Sequence, residues 1–151
     1  MHEMTNTPAA VRPAELAAQL RVAVWRAARR LRHVSDIGLT PTLHAALGSV
    51  EMHGPITAGQ LAAHEHVRKP TMTRTIRELV DRGLIERLPD PLDGRVTWLR
   101  VTPAGAELLR SARRRSETYL TKQLRALAPE QRDTLQQAAE ILESLVERRD
   151  G

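Results

Sequence analysis

Apolar side chains recur at intervals of three and four through most of this chain, and sharp start and stop signals separate the runs. Leu16, Leu20, Ala23, Val24, Ala27 and Leu31 form one stripe between Pro13 and Val34, the mark of an amphipathic helix. Gly38 breaks it. Thr40-Pro41 reads as an N-cap followed by proline in the first turn, and Leu43, Ala46, Leu47 and Val50 stripe a second helix that Gly54-Pro55 ends. Thr57 and Gln60 then have capping-box spacing, and Ile56 and Leu61 have hydrophobic-staple spacing, so a short helix begins at Thr57. A further helix runs from Pro70 to Arg82, with Gly83 as its left-handed cap. With the connector from Glu65 to Arg68, the two make a helix-turn-helix. After Gly83 the period changes to two. Leu84 to Leu88 and Arg95 to Thr102 read as strands around the turn-rich Pro89-Asp90-Pro91-Leu92-Asp93-Gly94. Thr102-Pro103 opens a long helix carrying Leu108, Leu109, Ala112, Tyr119, Leu120, Leu124 and Leu127. Pro129 opens the last, striped by Leu135, Ala138, Leu142, Leu145 and Val146. The expected class is mainly α with one small β-hairpin.

Composition narrows the function. A length of 151 residues suits one domain or a small module with helical extensions, and 41% apolar residues with interspersed charge is a globular profile. No apolar run is long enough to span a bilayer. Residues 1–12 hold no signal-peptide core and read as a disordered tail, so a cytoplasmic location is expected. There is no cysteine, which excludes disulfides and thiolate chemistry. The net charge of +5 favours polyanionic partners. Aromatic residues are only 2% and phenylalanine is absent, which disfavours the stacking platforms that bind single strands. Nucleic acid and anionic lipid both fit that charge, and if nucleic acid is the partner, double-stranded DNA is the better expectation than a single strand.

The helix from Pro70 has an inside and an outside. Met72, Ile76, Leu79 and Val80 fall on one face; Pro70, Arg74, Arg77 and Asp81 fall opposite, flanked by Thr71, Thr73 and Glu78. Arg68 and Lys69 stand at its positive end, where exposed cations cost about 0.3–1 kcal/mol each, and the residue before Pro70 is a poor N-cap. Two local rules are broken at one helix end, a pattern that marks functional sites. A DNA phosphate docked there would relieve both.

The order helix, helix, helix-turn-helix, hairpin, long helix, terminal helix resembles the MarR (multiple antibiotic resistance regulator) family. Gly54 to Ala62, continuing through Val67 and Pro70-Thr71-Met72-Thr73-Arg74 to Leu79–Arg87, resembles its helix-turn-helix. Asp90-Pro91-Leu92-Asp93-Gly94-Arg95, followed by Leu99 and Val101-Thr102-Pro103-Ala104-Gly105, resembles its wing signature. The resemblance implies a winged helix-turn-helix over residues 37–102 and a helical dimerisation region over 13–36 and 103–148. It further implies a homodimer with the helix from Pro70 in a major groove. Arg95 would enter the neighbouring minor groove, braced by Asp93. Two-fold symmetry implies a pseudo-palindromic operator with half-sites about 10 bp apart. On that helix Arg74 and Arg77 would grip guanine edges, Thr71 and Thr73 would touch phosphate or a thymine methyl, and Arg68 and Lys69 would anchor phosphate. The alternative for Arg77 is a surface ion pair with Asp81. Two departures stand out. Arg68-Lys69 replaces the family's frequent Ser or Thr, implying more phosphate anchoring, and Gly94 replaces a larger basic residue, implying a more flexible wing.

The family default is a ligand-responsive repressor whose small aromatic or phenolic effector binds between the dimerisation helices and the DNA-binding lobe. Trp25, His33, His44 and Met52 lie on elements that reach such a cavity, although each also suits core or interface. Histidine protonation would be a further way to tune the dimer. The absence of cysteine excludes the peroxide-sensing mode. No cofactor, no membrane partner and no nucleophile–base constellation is read from the chain, so an enzyme is not expected. A metal-responsive sensor is the first rival, on His64-Glu65-His66, but residues two apart on a helix diverge and the fifth helix has no histidine. A non-specific architectural DNA-binding protein is the second, on the basic run Arg110 to Arg115, which otherwise reads as a solvated or interface face. A third is a protein-interaction adaptor, against which Arg74, Arg77 and Arg95 speak.

Overall fold

The computed structural model describes residues 11–147. Most of the tail expected over 1–12, and the last residue of the 103–148 region, lie outside it. The elements are α1 (Pro13–Val34), α2 (Pro41–His53), β1 (Ile56–Thr57), α3 (Ala58–His64), α4 (Lys69–Asp81), β2 (Ile85–Pro89), β3 (Thr97–Val101), α5 (Pro103–Arg125) and α6 (Pro129–Glu147). The chain divides into two compact units, α1 in the first and everything from Ser35 in the second. Among the described residues no helix is long and apolar enough to cross a membrane.

Local chemistry sets the helix starts. Thr40 Oγ1 accepts from the Leu43 amide, and Thr102 Oγ1 from the Gly105 amide. Thr57 and Gln60 form a reciprocal capping box, with the Gln60 amide donating to Thr57 Oγ1 at 3.2 Å and the Thr57 amide to Gln60 Oε1 at 3.0 Å. Gly83, at φ +70°, lets the chain leave α4 and enter β2 directly. Any side chain there would carry the penalty of a left-handed backbone.

Two expectations change. The hairpin is the larger part of a three-stranded antiparallel sheet in the order β1-β3-β2, with Ile56 paired to Leu99 and Ile85 to Val101. A two-residue strand has no period to read, and its partner lies over forty residues away, so sequence pattern alone misses it. The second strand begins at Thr97 and not at Arg95, because Arg95 and Val96 belong to the tip. There the Asp90 amide donates to the Val96 carbonyl and the Val96 amide to the Asp93 carbonyl, both at 3.0 Å. Pro89 sits at the end of edge strand β2, where a missing amide is tolerated.

The hydrophobic core lies within the second unit. Leu47 (α2), Leu61 (α3), Leu79 (α4), Ile85 (β2) and Leu99 (β3) are among its fully buried side chains, and burying each contributes about 1.5–3 kcal/mol. The start of α5 joins this core through Leu109. Gly105 makes that close approach possible: a Cβ there would run into the Leu84 carbonyl oxygen and the Val101 side chain. That oxygen also accepts from the Thr102 amide at 3.0 Å, so it cannot retreat cheaply. Gly105→Ala is expected to destabilise the fold by roughly 3 kcal/mol, the upper end of overpacking costs, read as a lowered urea midpoint. An unchanged midpoint would mean that α5 shifts freely against the sheet.

The remaining helices behave differently. Neither α1 nor α6 has a buried residue, and beyond Ala112 the stripe of α5 emerges into solvent at Leu120 and Leu124. Their periodicity is that of core helices, yet the described residues leave most of these stripes exposed.

Candidate nucleic-acid interface

Helix α4 is fixed from below. Met72, Ile76 and Leu79 are buried in the core as expected, and Val80 is half-buried against it. Thr75 is buried as well, its hydroxyl donating to the Thr71 carbonyl at 3.1 Å. Thr75 escaped the sequence reading because a polar residue can join a buried stripe by bonding back to its own helix. The helix starts one residue earlier than expected. Arg68 is the N-cap residue, Lys69 the first helical position, and no side chain caps this end.

The opposite face points outward. Arg68, Lys69, Pro70, Thr71, Thr73, Arg74 and Arg77 are all exposed. Thr73 bonds back to the Lys69 carbonyl at 2.9 Å. Arg77 forms no ion pair with Asp81; the ion pair on this helix end is Arg82 with Glu78, at 2.6 Å. Between residues 37 and 115 the arginines and lysines fall into two groups. Arg82, Arg95, Arg100, Arg110, Arg113 and Arg114 each pair with a carboxylate, and Arg115 donates to the Asp36 carbonyl. Among the described residues the side chains of Arg68, Lys69, Arg74 and Arg77 have no such partner, and neither has that of Arg87 on β2. Arg87, on wing strand β2, ends the stretch that resembles the family's helix-turn-helix, but neither its residue type nor its spacing assigns it a role.

The wing tip is organised by two aspartates. Asp90 accepts from the amides of Leu92 and Asp93 at 2.8 and 2.9 Å and from the Trp98 indole at 2.8 Å. Asp93 accepts from the Arg95 amide at 3.0 Å and from its guanidinium at 3.2 Å. The Asp93–Arg95 brace is therefore present, and the Arg95 side chain is still 92% exposed. Asp90 is the more connected residue, and its sequence signal was only turn chemistry. Despite Gly94, the tip is held by hydrogen bonds on both sides.

Both carboxyls lie below the usual aspartate range, Asp90 chiefly through the Trp98 indole and Asp93 chiefly through the Arg95 amide. Groups with depressed folded-state values contribute stability above the ordinary aspartate value of 3.8, which is lost as pH falls through the folded-state value. Wing order should thus be constant from pH 8 to 5 and loosen below about pH 4, with Trp98 fluorescence in a Trp25→Phe background as the probe. A Trp98 transition above pH 5 would contradict this assignment.

The four residues expected near an effector do not surround one cavity. Trp25 and His33 border an open groove along α1 with Arg26, Arg29 and Arg30, where the Arg29 guanidinium lies over the Trp25 ring at 5.5 Å. His44 and Met52 border a cavity of about 310 Å³ with Ser49, Glu65, Leu109 and Arg113. Polar links flank it. Ser49 donates to Glu65, and Arg113 forms a two-pronged ion pair with Glu51 at 2.7 and 3.2 Å. The Arg113 hydrogen bond lowers the Glu51 carboxyl below its usual range. His64 and His66 do not act as a pair: His64 stacks on His53 with ring centroids 4.4 Å apart, while His66 holds a left-handed turn position at φ 51°.

The described site thus consists of an uncapped helix end with exposed cations on α4 and a hydrogen-bonded wing tip that presents Arg95. The MarR family model matches residues 39–97. An HTH-type transcriptional regulator of Mycobacterium tuberculosis is 39% identical over 137 residues, covering 89% of this chain and 94% of that protein. The multiple antibiotic resistance protein MarR of Salmonella typhimurium is 32% identical over 92 residues, covering 61% and 64%. Among solved structures, a transcriptional regulator of Thermotoga maritima superposes with a TM-score of 0.73 at 28% identity, covering 88% of this chain and 94% of that one. On this helix-turn-helix, this wing and a relative matched over nearly its whole length, the chain belongs to the MarR family of DNA-binding transcriptional regulators.

Proposed function

We propose that this regulator, like its family not an enzyme, is a ligand-responsive repressor. In this reading it acts as a homodimer on a pseudo-palindromic operator. In each half-site α4 lies in the major groove, where Arg74 and Arg77 read guanine edges. Thr71 and Thr73 touch phosphate or a thymine methyl, and Pro70 brings the helix end close to the backbone. Arg68 and Lys69 hold phosphate at the open N-terminus. Arg95, aimed by Asp93, enters the minor groove, whose negative potential is greatest where it is narrow. The observation that carries this reading is the selective pairing of cations. Seven basic side chains of the lobe are engaged within the chain, and those left free cluster on α4, with Arg87 on the wing. To serve as the DNA-binding face of an architectural protein, Arg110, Arg113, Arg114 and Arg115 would each have to give up a partner elsewhere in the chain. The α4 cations give up none, and Arg95, held only by its near neighbour Asp93, already stands 92% exposed. The uncovered stripes of α1, α5 and α6 are what a second copy would bury, so these helices form the dimerisation region.

Fluorescence anisotropy with DNA from upstream of the protein's own gene, beside a scrambled duplex at two salt concentrations, tests the reading. Tight binding to the upstream duplex alone is the expected result. Equal binding to both with a steep salt slope would make this a non-specific phosphate binder.

For the effector, the cavity at His44 and Met52 is the better supported site, because it touches α2, α5 and the helix-turn-helix connector at once. A small phenolic acid there would compete with the Arg113–Glu51 pair. It would shift the lobe only through different affinities for the two states. Salicylate, used as the probe, should weaken operator binding, and Arg113→Ala should abolish that response.

A further inference from the structure

The wing carries a feature that charge does not explain. Leu92 is 96% exposed, the highest value among the exposed large hydrophobic side chains, and it stands at the tip three residues before Arg95. Its own amide is held by Asp90 at 2.8 Å, and the amide of the next residue is held by the same carboxylate oxygen at 2.9 Å. Trp98 locks the other oxygen of that carboxylate at 2.8 Å. A leucine on a floppy loop would be unremarked surface; this one is presented on a braced loop beside a braced arginine. None of the described residues covers it, and its neighbours Pro91 and Gly94 are exposed too.

We infer that Leu92 is a DNA-contacting residue of the wing, packing against the apolar deoxyribose wall of the minor groove that Arg95 enters. The inference rests on the proposed docking of the wing and adds to it a contact of different chemistry. Continuity decides the occupant. Leu92 and Arg95 share one rigid tip, so a duplex that takes the guanidinium brings its sugar edge to the leucine. Apolar side chains in minor grooves contribute through sugar and base-step contacts. Such a contact releases no counterions, so its contribution is independent of salt, whereas that of Arg95 falls as salt rises. Because Leu92 supports no part of the fold, its truncation should leave thermal stability unchanged.

The test uses the full chain and a duplex that the wild-type protein selects from a randomised library. Affinities of wild type, Leu92→Ala, Leu92→Met, Leu92→Asn and Arg95→Ala are measured across a series of salt concentrations. Leu92→Ala and Leu92→Asn should bind about 3–10-fold more weakly at every salt concentration, the effect of losing part of one leucine's burial. The slope against log salt should match that of wild type, and Leu92→Met should restore most of the affinity. Arg95→Ala should reduce the slope by about one per half-site. Wild-type affinity for Leu92→Ala, with Arg95→Ala weakened, would overturn the inference and leave the docked wing standing. Wild-type affinity for both variants would overturn wing docking and the inference together. Failure to select any duplex would overturn the DNA-binding reading itself.

Discussion

Replacing Arg74 and Arg77 together with alanine is expected to remove sequence-specific DNA binding while leaving the fold intact. Each guanidinium gripping a guanine edge contributes about 1–3 kcal/mol of discrimination. The pair therefore accounts for about 2–6 kcal/mol per half-site, a loss of roughly 30-fold at the lower bound. The two stand one turn apart on one face, so strict additivity is not expected. Both are exposed and neither is engaged within the chain, so thermal stability should change by no more than about 0.5 kcal/mol. Binding to scrambled DNA should fall much less, since Arg68, Lys69 and Arg95 remain to hold phosphate and groove. The result that would sink the assignment is a uniform loss on cognate and scrambled duplexes with a salt slope lower by about two per half-site. These arginines would then be phosphate anchors, and sequence would have to be read elsewhere on α4.

Leu135→Glu combined with Leu145→Glu should convert the protein from a dimer to a monomer. These leucines lie on the stripe of α6 and are 48% and 50% exposed in the single chain, so the substitutions remove no packing from the lobe. In a two-fold dimer each would be buried in both copies, placing four carboxylates in an apolar interface. An unpaired buried charge costs several kcal/mol, more in sum than most associations can absorb. Sedimentation should show one 16.9 kDa chain where wild type shows two. Operator affinity should fall by about 10²–10⁴, because two linked half-site contacts become independent. Helix content should fall as well, since no residue of α1 or α6 is fully buried in the single chain and isolated amphipathic helices are marginal in water. The winged lobe should keep its melting transition, its core being complete without them. A variant that still sediments as two chains would place the dimer contact on another surface.

Much of this protein is legible without coordinates, wherever the deciding interactions span a few residues. The caps at Thr40, Thr57 and Thr102, the left-handed turn at Gly83 and the Asp93–Arg95 brace are all contacts between near neighbours. A side chain and an amide three residues apart find each other in any fold that permits a helix. The periodicities of α2, α4 and α5 likewise mark which faces need cover, and the uncapped positive end of α4 marks where an anion is wanted.

What only the tertiary structure decided is the state of each charged or polar group whose partner is distant. In charge alone the basic stretches Arg68–Arg77 and Arg110–Arg115 look alike, and although the helix-start rules broken at Arg68 and Lys69 set the first apart, neither stretch shows which of its cations finds a partner. Folding brings Glu51 to Arg113 across 62 positions and the Asp36 carbonyl to Arg115 across 79. It closes β1 onto β3, and it carries the Gly38 carbonyl to Arg82 across 44. One stretch is thereby engaged and the other left free. The physical reason is that an exposed cation has no local preference strong enough to choose among carboxylates. The choice follows the hydrophobic packing that brings distant segments together, and that packing is a property of the whole lobe.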